Sequence, residues 1–98
     1  PTDCYDLIVM GRYTNAELVS RLLPALTCGG YFLCEEHLVT EREVIGPTNP
    51  RFRVEANELL HLAKDLRILF YREGIVEDPD SRLAALAQIV ACKATNTI

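Results

Sequence analysis

Residues 5–36 read YDLIVMGRYTNAELVSRLLPALTCGGYFLCEE, and this stretch decides the fold. Its first run, Tyr5–Met10, is apolar without alternation, which is typical of a strand buried on both faces of a parallel sheet. A second run of this kind begins at Tyr31, directly after a Gly-Gly pair. We therefore predict strands over residues 5–10 and 31–36, which a connecting helix would make parallel.

The segment between these strands predicts that helix. Thr14 and Glu17 have the spacing of a capping box, in which both side chains bind backbone N–H groups of the first turn. Apolar residues then recur at helical spacing, and Gly29 is the residue type that commonly ends a helix. We expect a helix over about residues 15–28, with a kink or an early end at Pro24.

The second half of the chain predicts a helix, a strand and one ambiguous segment. Apolar spacing predicts a helix over about residues 55–65, with His61 exposed beside its buried stripe. Residues 67–73 alternate as in a strand, with Ile68 and Phe70 expected on the same face. Residues 83–93 join an alanine-rich run that favours helix to a β-branched run that favours strand.

One long loop, residues 40–53, is rich in glycine and proline. Loops of this length without regular structure are usually functional or mobile. This loop would leave the carboxyl end of a strand, which is the edge where open α/β sheets bind ligands. The alternative is a disordered surface connector.

Several of these stretches resemble the second half of a class I S-adenosylmethionine-dependent methyltransferase domain. The strand Tyr5–Val9, the helix end LLPAL (residues 22–26), the Gly-Gly turn and the strand closing in Glu35-Glu36 are similar to strands four and five of that family. The likeness continues through GPTNPRF (residues 46–52), Glu58-Leu59-Leu60 and Val90–Lys93. It therefore spans nearly the whole chain.

The resemblance implies an α/β fold with a partial, Rossmann-like sheet in a three-layer arrangement. Strands 5–10, 31–36 and 67–73 would be parallel. The ambiguous segment 83–93 would be the last strand, antiparallel to the others and inserted between the second and the third. Residues 1–98 would form a single partial domain.

The resemblance also implies a parent protein that transfers a methyl group from S-adenosylmethionine to an acceptor, which the sequence does not identify. The family's glycine-rich loop and the acidic residue after its second strand are absent from these residues. We therefore expect the isolated chain to bind no S-adenosylmethionine and to be inactive. Because Pro1 stands just before a core strand, we expect the chain to be part of a longer protein.

The first candidate site residues follow the first strand: Gly11, Arg12 and Tyr13. By position they match the loop that lines the space beside the reactive methyl group in the family. Gly11 and Arg12 would approach the cofactor, since glycine permits close approach of backbone to a ligand. Arg12 would also pair with an anionic group of the acceptor, and Tyr13 would place the acceptor. The alternative is a turn that only caps the sheet.

The other candidates end the second strand at the same edge: Glu35, Glu36 and His37. One of them would hydrogen-bond or deprotonate the acceptor, because carboxylates and histidine are the usual general bases. Neighbouring residues on a strand face opposite ways, so the two glutamates would not form a dyad. At most one of them would face the cleft.

Composition excludes several other kinds of function. The net charge is −4, and no basic stripe is present, so direct nucleic-acid binding is not expected. The apolar runs are far shorter than the ~20 residues that cross a bilayer, which predicts a cytoplasmic protein without membrane contact. The cysteines have no CxxC spacing and are predicted to be reduced, mostly core thiols without a metal site: Cys4, Cys28, Cys34 and Cys92.

Two alternatives to a methyltransferase fragment remain at this point. The first is a non-catalytic binding or dimerisation module of α/β fold, and the second is another α/β fold of the flavodoxin type. We expect this chain to form a homodimer or, failing that, to aggregate, because the family's first strand, which pairs with the free edge of Tyr5–Met10 in the intact domain, is absent from these residues. The strand Tyr5–Met10 would be an outer strand, and an apolar edge with unpaired backbone groups invites pairing with a second copy.

Overall fold

The computed structural model of the protein describes residues 4–12 and 16–94. Its strands and α-helices, in chain order, are β1 Tyr5–Gly11, α1 Ala16–Leu22, β2 Leu26–His37, α2 Glu58–Leu62, β3 Arg67–Glu77 and β4 Leu83–Cys92. Single 3₁₀ turns cover Leu23–Ala25 and Pro50–Phe52. Thr14, on which the predicted capping box depends, lies outside the described residues.

The four strands form one sheet in the order β1-β2-β4-β3. β1 and β2 are parallel, and β4 is antiparallel to both of its neighbours, β2 and β3. The predicted topology is therefore confirmed, including the reversed last strand inserted beside the second. The same edge of the sheet carries the carboxyl ends of β1, β2 and β3.

The first helix is shorter than predicted, and the second strand is longer. α1 ends at Leu22, and β2 already begins at Leu26, before the predicted start at residue 31. Pro24 lies in the intervening 3₁₀ turn, where its missing N–H and its ring prevent an α-helix from continuing. Gly29 has a positive φ of 81°, but it lies within β2 and does not end the helix.

The second helix is also shorter than the predicted 55–65. Asn57 adopts a left-handed backbone conformation just before α2, and Ala63 leaves the helical region just after it. Leu59 and Ala63 of the predicted stripe are almost inaccessible to solvent, and its other members, Leu60, Leu62 and Leu66, are half-buried. His61 is exposed, as predicted.

The ambiguous segment is a strand, and one predicted face is wrong. β4 lies in the interior of the sheet, where Ala84, Ala85 and Ala87 are fully buried, so packing overrides the helical propensity of alanine. In β3 the register shifts between Ile68 and Phe70, so that they pair with the adjacent residues Ala91 and Val90. Such a bulge turns Ile68 and Phe70 to opposite faces of the sheet.

The core lies between the sheet and a single layer of helices. Ile8, Phe32 and Ile89 of the sheet pack with Val19 of α1 and Leu59 of α2. Both helices therefore cover the same face, and the described residues supply two layers of the predicted three.

The other side of the sheet, which we call the open face, carries apolar side chains that neither of the described helices covers: Leu7, Val9, Tyr31, Leu33, Phe70 and Val90. Leu7 and Val9 are 57% and 63% exposed. A shallow groove of about 410 Å³ runs over this face, and Glu35 and Gln88 lie at its polar end. Among the described helices, none is long and apolar enough to cross a membrane.

Candidate functional site

Four side chains form a polar network at the carboxyl edge of the sheet, and we call it the edge network: Arg12, Glu35, Asp78 and Gln88. Arg12 Nε donates to Glu35 Oε2 at 2.8 Å, and its two terminal nitrogens donate to the Asp78 carboxylate at 3.2 and 3.3 Å. Gln88 Nε2 donates to Glu35 Oε1 at 2.6 Å. The network therefore joins the ends of β1 and β2 to β4 and to the turn that follows β3.

Backbone geometry places Arg12 in this network. Gly11 pairs with Glu35 in the parallel ladder, and the backbone N–H of Arg12 donates to the carbonyl oxygen of Glu35. Arg12 itself has a positive φ of 51°, a conformation that few residues other than glycine adopt. Residues held in this region often lie at functional sites, because the surrounding structure must stabilise them.

The network stabilises the charged forms of Arg12 and Glu35. Hydrogen bonds to Asp78 and Glu35 raise the pKa of Arg12 above its ordinary value. Burial alone would raise the pKa of Glu35, but the hydrogen bonds from Gln88 and Arg12 outweigh burial and lower it. Glu35 is therefore an ionised hydrogen-bond acceptor at neutral pH, and two carboxylates of this chain already engage the guanidinium of Arg12.

The two neighbouring glutamates lie on opposite faces of the sheet. Glu35 pairs with Gln88 on the open face, whereas Glu36 pairs with Ala87 on the helical side and is almost fully buried. The thiol of Cys34 lies 3.7 Å from a carboxylate oxygen of Glu36. Burial and this carboxylate raise the pKa of Cys34 to about 12, so its thiol is neutral and unreactive at physiological pH.

The prediction that the cysteines are mostly core thiols is wrong for two of the four. Cys34 is buried and Cys92 is half-buried, but Cys4 and Cys28 are exposed, and all four are free. Within residues 4–12 and 16–94, no three His, Cys, Asp or Glu side chains are grouped closely enough to hold a metal ion.

His37 lies two residues beyond Glu35 on the same face, but it is covered. Only 7% of it is exposed, and its Nδ1 atom is buried without a hydrogen-bond partner among the described residues. Gly46 packs directly against the ring, because a Cβ atom added there would come within 2.8 Å of Nδ1. Gly46 also has a φ of 108°, so glycine is required at this position on two counts.

The loop that carries Gly46 is held in place by Arg53. The guanidinium donates to three backbone carbonyl oxygens: Pro47 at 2.9 Å, Leu38 at 3.1 Å and Ile45 at 3.1 Å. The backbone N–H of Ile45 also donates to the carbonyl oxygen of Leu83 in β4. These contacts favour an ordered loop over a disordered surface connector.

The six predicted site residues are thus divided by the structure. Arg12 and Glu35 are in direct contact, and Gly11 lies beside them with open space where a side chain would be. His37 is close by under the loop, Glu36 faces away, and Tyr13 lies outside the described residues. The open space at Gly11 fits one wall of a cofactor cleft, and the described residues provide no second wall.

Sequence reasoning missed Asp78, Gln88, Arg53 and Gly46. Gln88 had a visible signal, because it is the one amide in the apolar run of β4. The contact of Asp78 with Arg12 depends on the strand order, which no local sequence signal gives. Nothing in the sequence indicates that Gly46 meets His37 or that Arg53 binds three carbonyl groups.

Two solved structures have the same arrangement of strands and helices. TehB from Haemophilus influenzae superposes with a TM-score of 0.72 and 26% sequence identity, over 91% of this chain and 35% of its own. A SAM-dependent methyltransferase from Methanosarcina mazei superposes with a TM-score of 0.67 and 14% identity, over 97% of this chain and 62% of its own.

The chain has the fold of part of a class I S-adenosylmethionine-dependent methyltransferase domain. It spans about a third of TehB and less than two thirds of the Methanosarcina mazei protein. The similarity to the latter concerns the fold alone. No family model and no curated protein matches the sequence.

Proposed function

We propose that this chain is the acceptor-side part of a methyltransferase that transfers a methyl group from S-adenosylmethionine to an acceptor molecule. The observation that carries the proposal is the strand order, with a reversed strand inserted beside the second, together with the TehB superposition. S-adenosylmethionine, when bound in the parent protein, supplies a methyl group bonded to a positively charged sulfur. We place the protein in the cytoplasm.

The edge network and the open space at Gly11 define the proposed roles. Gly11 allows a ligand to approach the backbone at the end of β1. Glu35 is held ionised and oriented, so it accepts a hydrogen bond from the acceptor. Because its guanidinium is bound to Glu35 and Asp78, Arg12 orients Glu35 and does not pair with an anionic group of the acceptor. Tyr13 would form a wall of the acceptor pocket.

Calorimetry with S-adenosylmethionine tests the proposal that this chain supplies only the acceptor side of the methyltransferase. The 98 residues alone should give no saturable binding, because one wall of a cleft does not enclose a ligand. Saturable binding to this chain with low-micromolar affinity would contradict the proposal.

Turnover of the whole gene product tests the role of Glu35. Glu35→Gln should lower the rate of methyl transfer and leave the melting temperature nearly unchanged, since Glu35 is partly exposed. Glu17→Gln is the matched control on the exposed surface of α1. Tyr13→Ala should likewise lower the rate more than the stability, because the sequence predicts Tyr13 in a loop, and loop residues carry little core packing.

A second proposed role is assembly, and the position of β1 favours it. β1 is the end strand of the sheet, and its residues Leu7 and Val9 are more than half exposed. Pairing of two β1 strands about a two-fold axis would satisfy the free backbone groups and bring the exposed side chains of the two strands next to one another. We propose that the 98 residues on their own form a homodimer through the β1 edge.

A pair of variants separates this edge from the opposite one. Val9→Lys should convert the dimer to monomers, because it places a charge at the centre of the contact. Leu69→Lys, on the edge strand β3 at the other end of the sheet, should leave the dimer intact. The reverse result would assign the contact to β3.

A further inference from the structure

We propose that His37 is the base of the acceptor site and that its Nδ1 atom takes a proton from the methyl acceptor. The inference rests on the proposed methyltransferase function and narrows the substrate class. The acceptor would be a nucleophile that loses a proton on methylation, such as a hydroxyl or an N–H group. A thioether or a tertiary amine would need no such base.

The structure leaves His37 as the only strong base among the three residues that end β2. Glu36 is buried on the helical side and faces away from the edge network. Glu35 is an acceptor of two hydrogen bonds, and its lowered pKa makes it a weak base at neutral pH. His37 alone combines a position on the face of Glu35 with a ring nitrogen that has no partner among the described residues.

The surroundings of His37 keep its ring neutral. Burial is the main cause that lowers its pKa below 6.5, followed by the positive charges of Arg53 and Arg12. The carboxylates of Glu35 and Asp78 act in the opposite direction and are outweighed. A neutral imidazole with a pKa near the working pH is the usual general base of enzymes.

Gly46 covers the nitrogen that would accept the proton. The segment Ile45–Pro47 lies over the ring and is tied down by hydrogen bonds from Arg53 to the carbonyl groups at both of its ends. We infer that this segment moves when the acceptor binds, and that the acceptor group then takes the place of Gly46 beside Nδ1. A glycine makes this exchange possible, because no side chain has to be removed.

The proton and the electrons balance in this step. A lone pair on the acceptor oxygen or nitrogen forms the bond to the methyl carbon, and the electron pair of the broken carbon–sulfur bond remains on sulfur. The sulfur thus loses its positive charge. The proton of the acceptor passes to Nδ1 of His37, which becomes an imidazolium ion and later releases the proton to water.

Nuclear magnetic resonance of the imidazole ring tests the protonation state of His37 and requires no measurement of enzymatic activity. In the 98-residue chain with His61→Gln, the remaining histidine signal belongs to His37. We expect it to titrate below pH 6.5 and Nδ1 to carry no hydrogen in the neutral ring. A hydrogen on Nδ1, or titration at or above pH 6.5, would overturn the inference.

Chemical modification tests whether the segment Ile45–Pro47 covers the ring of His37. Diethyl pyrocarbonate should modify the exposed His61 much faster than His37 in the unaltered chain. Arg53→Met should raise the rate at His37 several-fold and leave the rate at His61 unchanged. Equal rates at the two histidines in the unaltered chain would overturn the covered arrangement, as would a rate at His37 that Arg53→Met leaves unchanged.

Methyl transfer by the whole gene product tests the role. His37→Gln should lower the rate by about 100-fold or more, the size of a lost general base, and leave the affinity for S-adenosylmethionine unchanged. His61→Gln should have no effect. Transfer that His37→Gln leaves unchanged overturns this inference alone. An unaltered gene product that transfers no methyl group overturns the proposed function itself.

Discussion

The two faces of the sheet have similar sequences but different surroundings. In β1, Ile8 is 8% exposed because α1 and α2 cover it, whereas Leu7 and Val9 on the open face are 57% and 63% exposed. All three are aliphatic residues of the same strand. An apolar run therefore indicates that both faces of a strand need to be buried, but it does not indicate whether the same chain buries them.

Truncating one large side chain on each face tests this difference in burial, and it should give the largest effect. Phe32 and Tyr31 are adjacent in β2, and they are fully buried and about half exposed, respectively. Phe32→Ala should lower the free energy of unfolding by about 3–5 kcal/mol, since it removes an aromatic ring from a closed core. Tyr31→Ala should cost less than half as much. Denaturant unfolding of both variants measures the two losses.

Equal losses in the free energy of unfolding would contradict the difference in burial between the two faces. They would mean that the open face is buried in solution as deeply as the helical face. A loss at Tyr31 that grows with protein concentration would assign the missing cover to a second copy of the chain.

Among the described residues, the loop of residues 40–53 covers the open face at His37. Gly46 lies in this loop and Gly11 lies outside it, so the two glycines allow a covered and an uncovered position to be compared. Gly46→Ala should cost about 1–3 kcal/mol, because the new side chain meets the ring of His37 and the backbone has a positive φ. Gly11→Ala, at the open end of β1, meets no atom within 4 Å and should cost much less. Thermal unfolding of both variants checks the difference, and equal costs would contradict the packing of the loop on His37.

The edge network at the polar end of the open face should contribute little to stability. Arg12 is about one-third exposed, and exposed ion pairs contribute about 0–1 kcal/mol each. Arg12→Met should therefore cost about 1 kcal/mol, and added salt should narrow the difference from the unaltered chain. Arg21→Met, which removes a more exposed pair within α1, should cost less. A loss as large as that of Phe32→Ala would make the network part of the core.

The smallest expected effect is the pH dependence that comes from His37. Its pKa is lower in the folded chain than the ordinary 6.5, so the unfolded chain binds a proton more readily. Stability should therefore be complete above pH 6.5 and fall as the pH is lowered through the folded pKa. The lowered pKa of Glu35 adds a similar loss only below its ordinary 4.5.

Unfolding measured between pH 6.5 and 4.5 isolates this contribution. His37→Gln should remove the slope in that range, and His61→Gln should retain it. A slope that survives in His37→Gln would mean that another group is responsible.

The sequence predicted the strand order through the family resemblance, and it predicted Pro24 as a place where the helix could end. It did not predict the bulge that separates Ile68 from Phe70, because a single inserted residue leaves the apolar alternation of β3 looking regular. The reversed strand β4 was decided by the resemblance, since Leu83–Ala87 alone favour helix. Burial between two neighbouring strands then overrode that preference.

The sequence predicted that some of the candidate site residues lie close together, and that they form a site stays a prediction. The ends of β1 and β2 were expected to meet, and Arg12 and Glu35 do so. Asp78 lies 66 residues from Arg12 in the chain, so their contact depends on where β3 and its turn are placed. The cover over His37 requires a loop conformation that no local sequence signal describes.

We propose that the β1 edge of this chain is completed by the same strand of a second copy. Light scattering coupled to gel filtration at micromolar concentration tests it most directly. We expect a particle of twice the 11.0 kDa mass of the chain. A stable, soluble particle of 11.0 kDa at every concentration would contradict it.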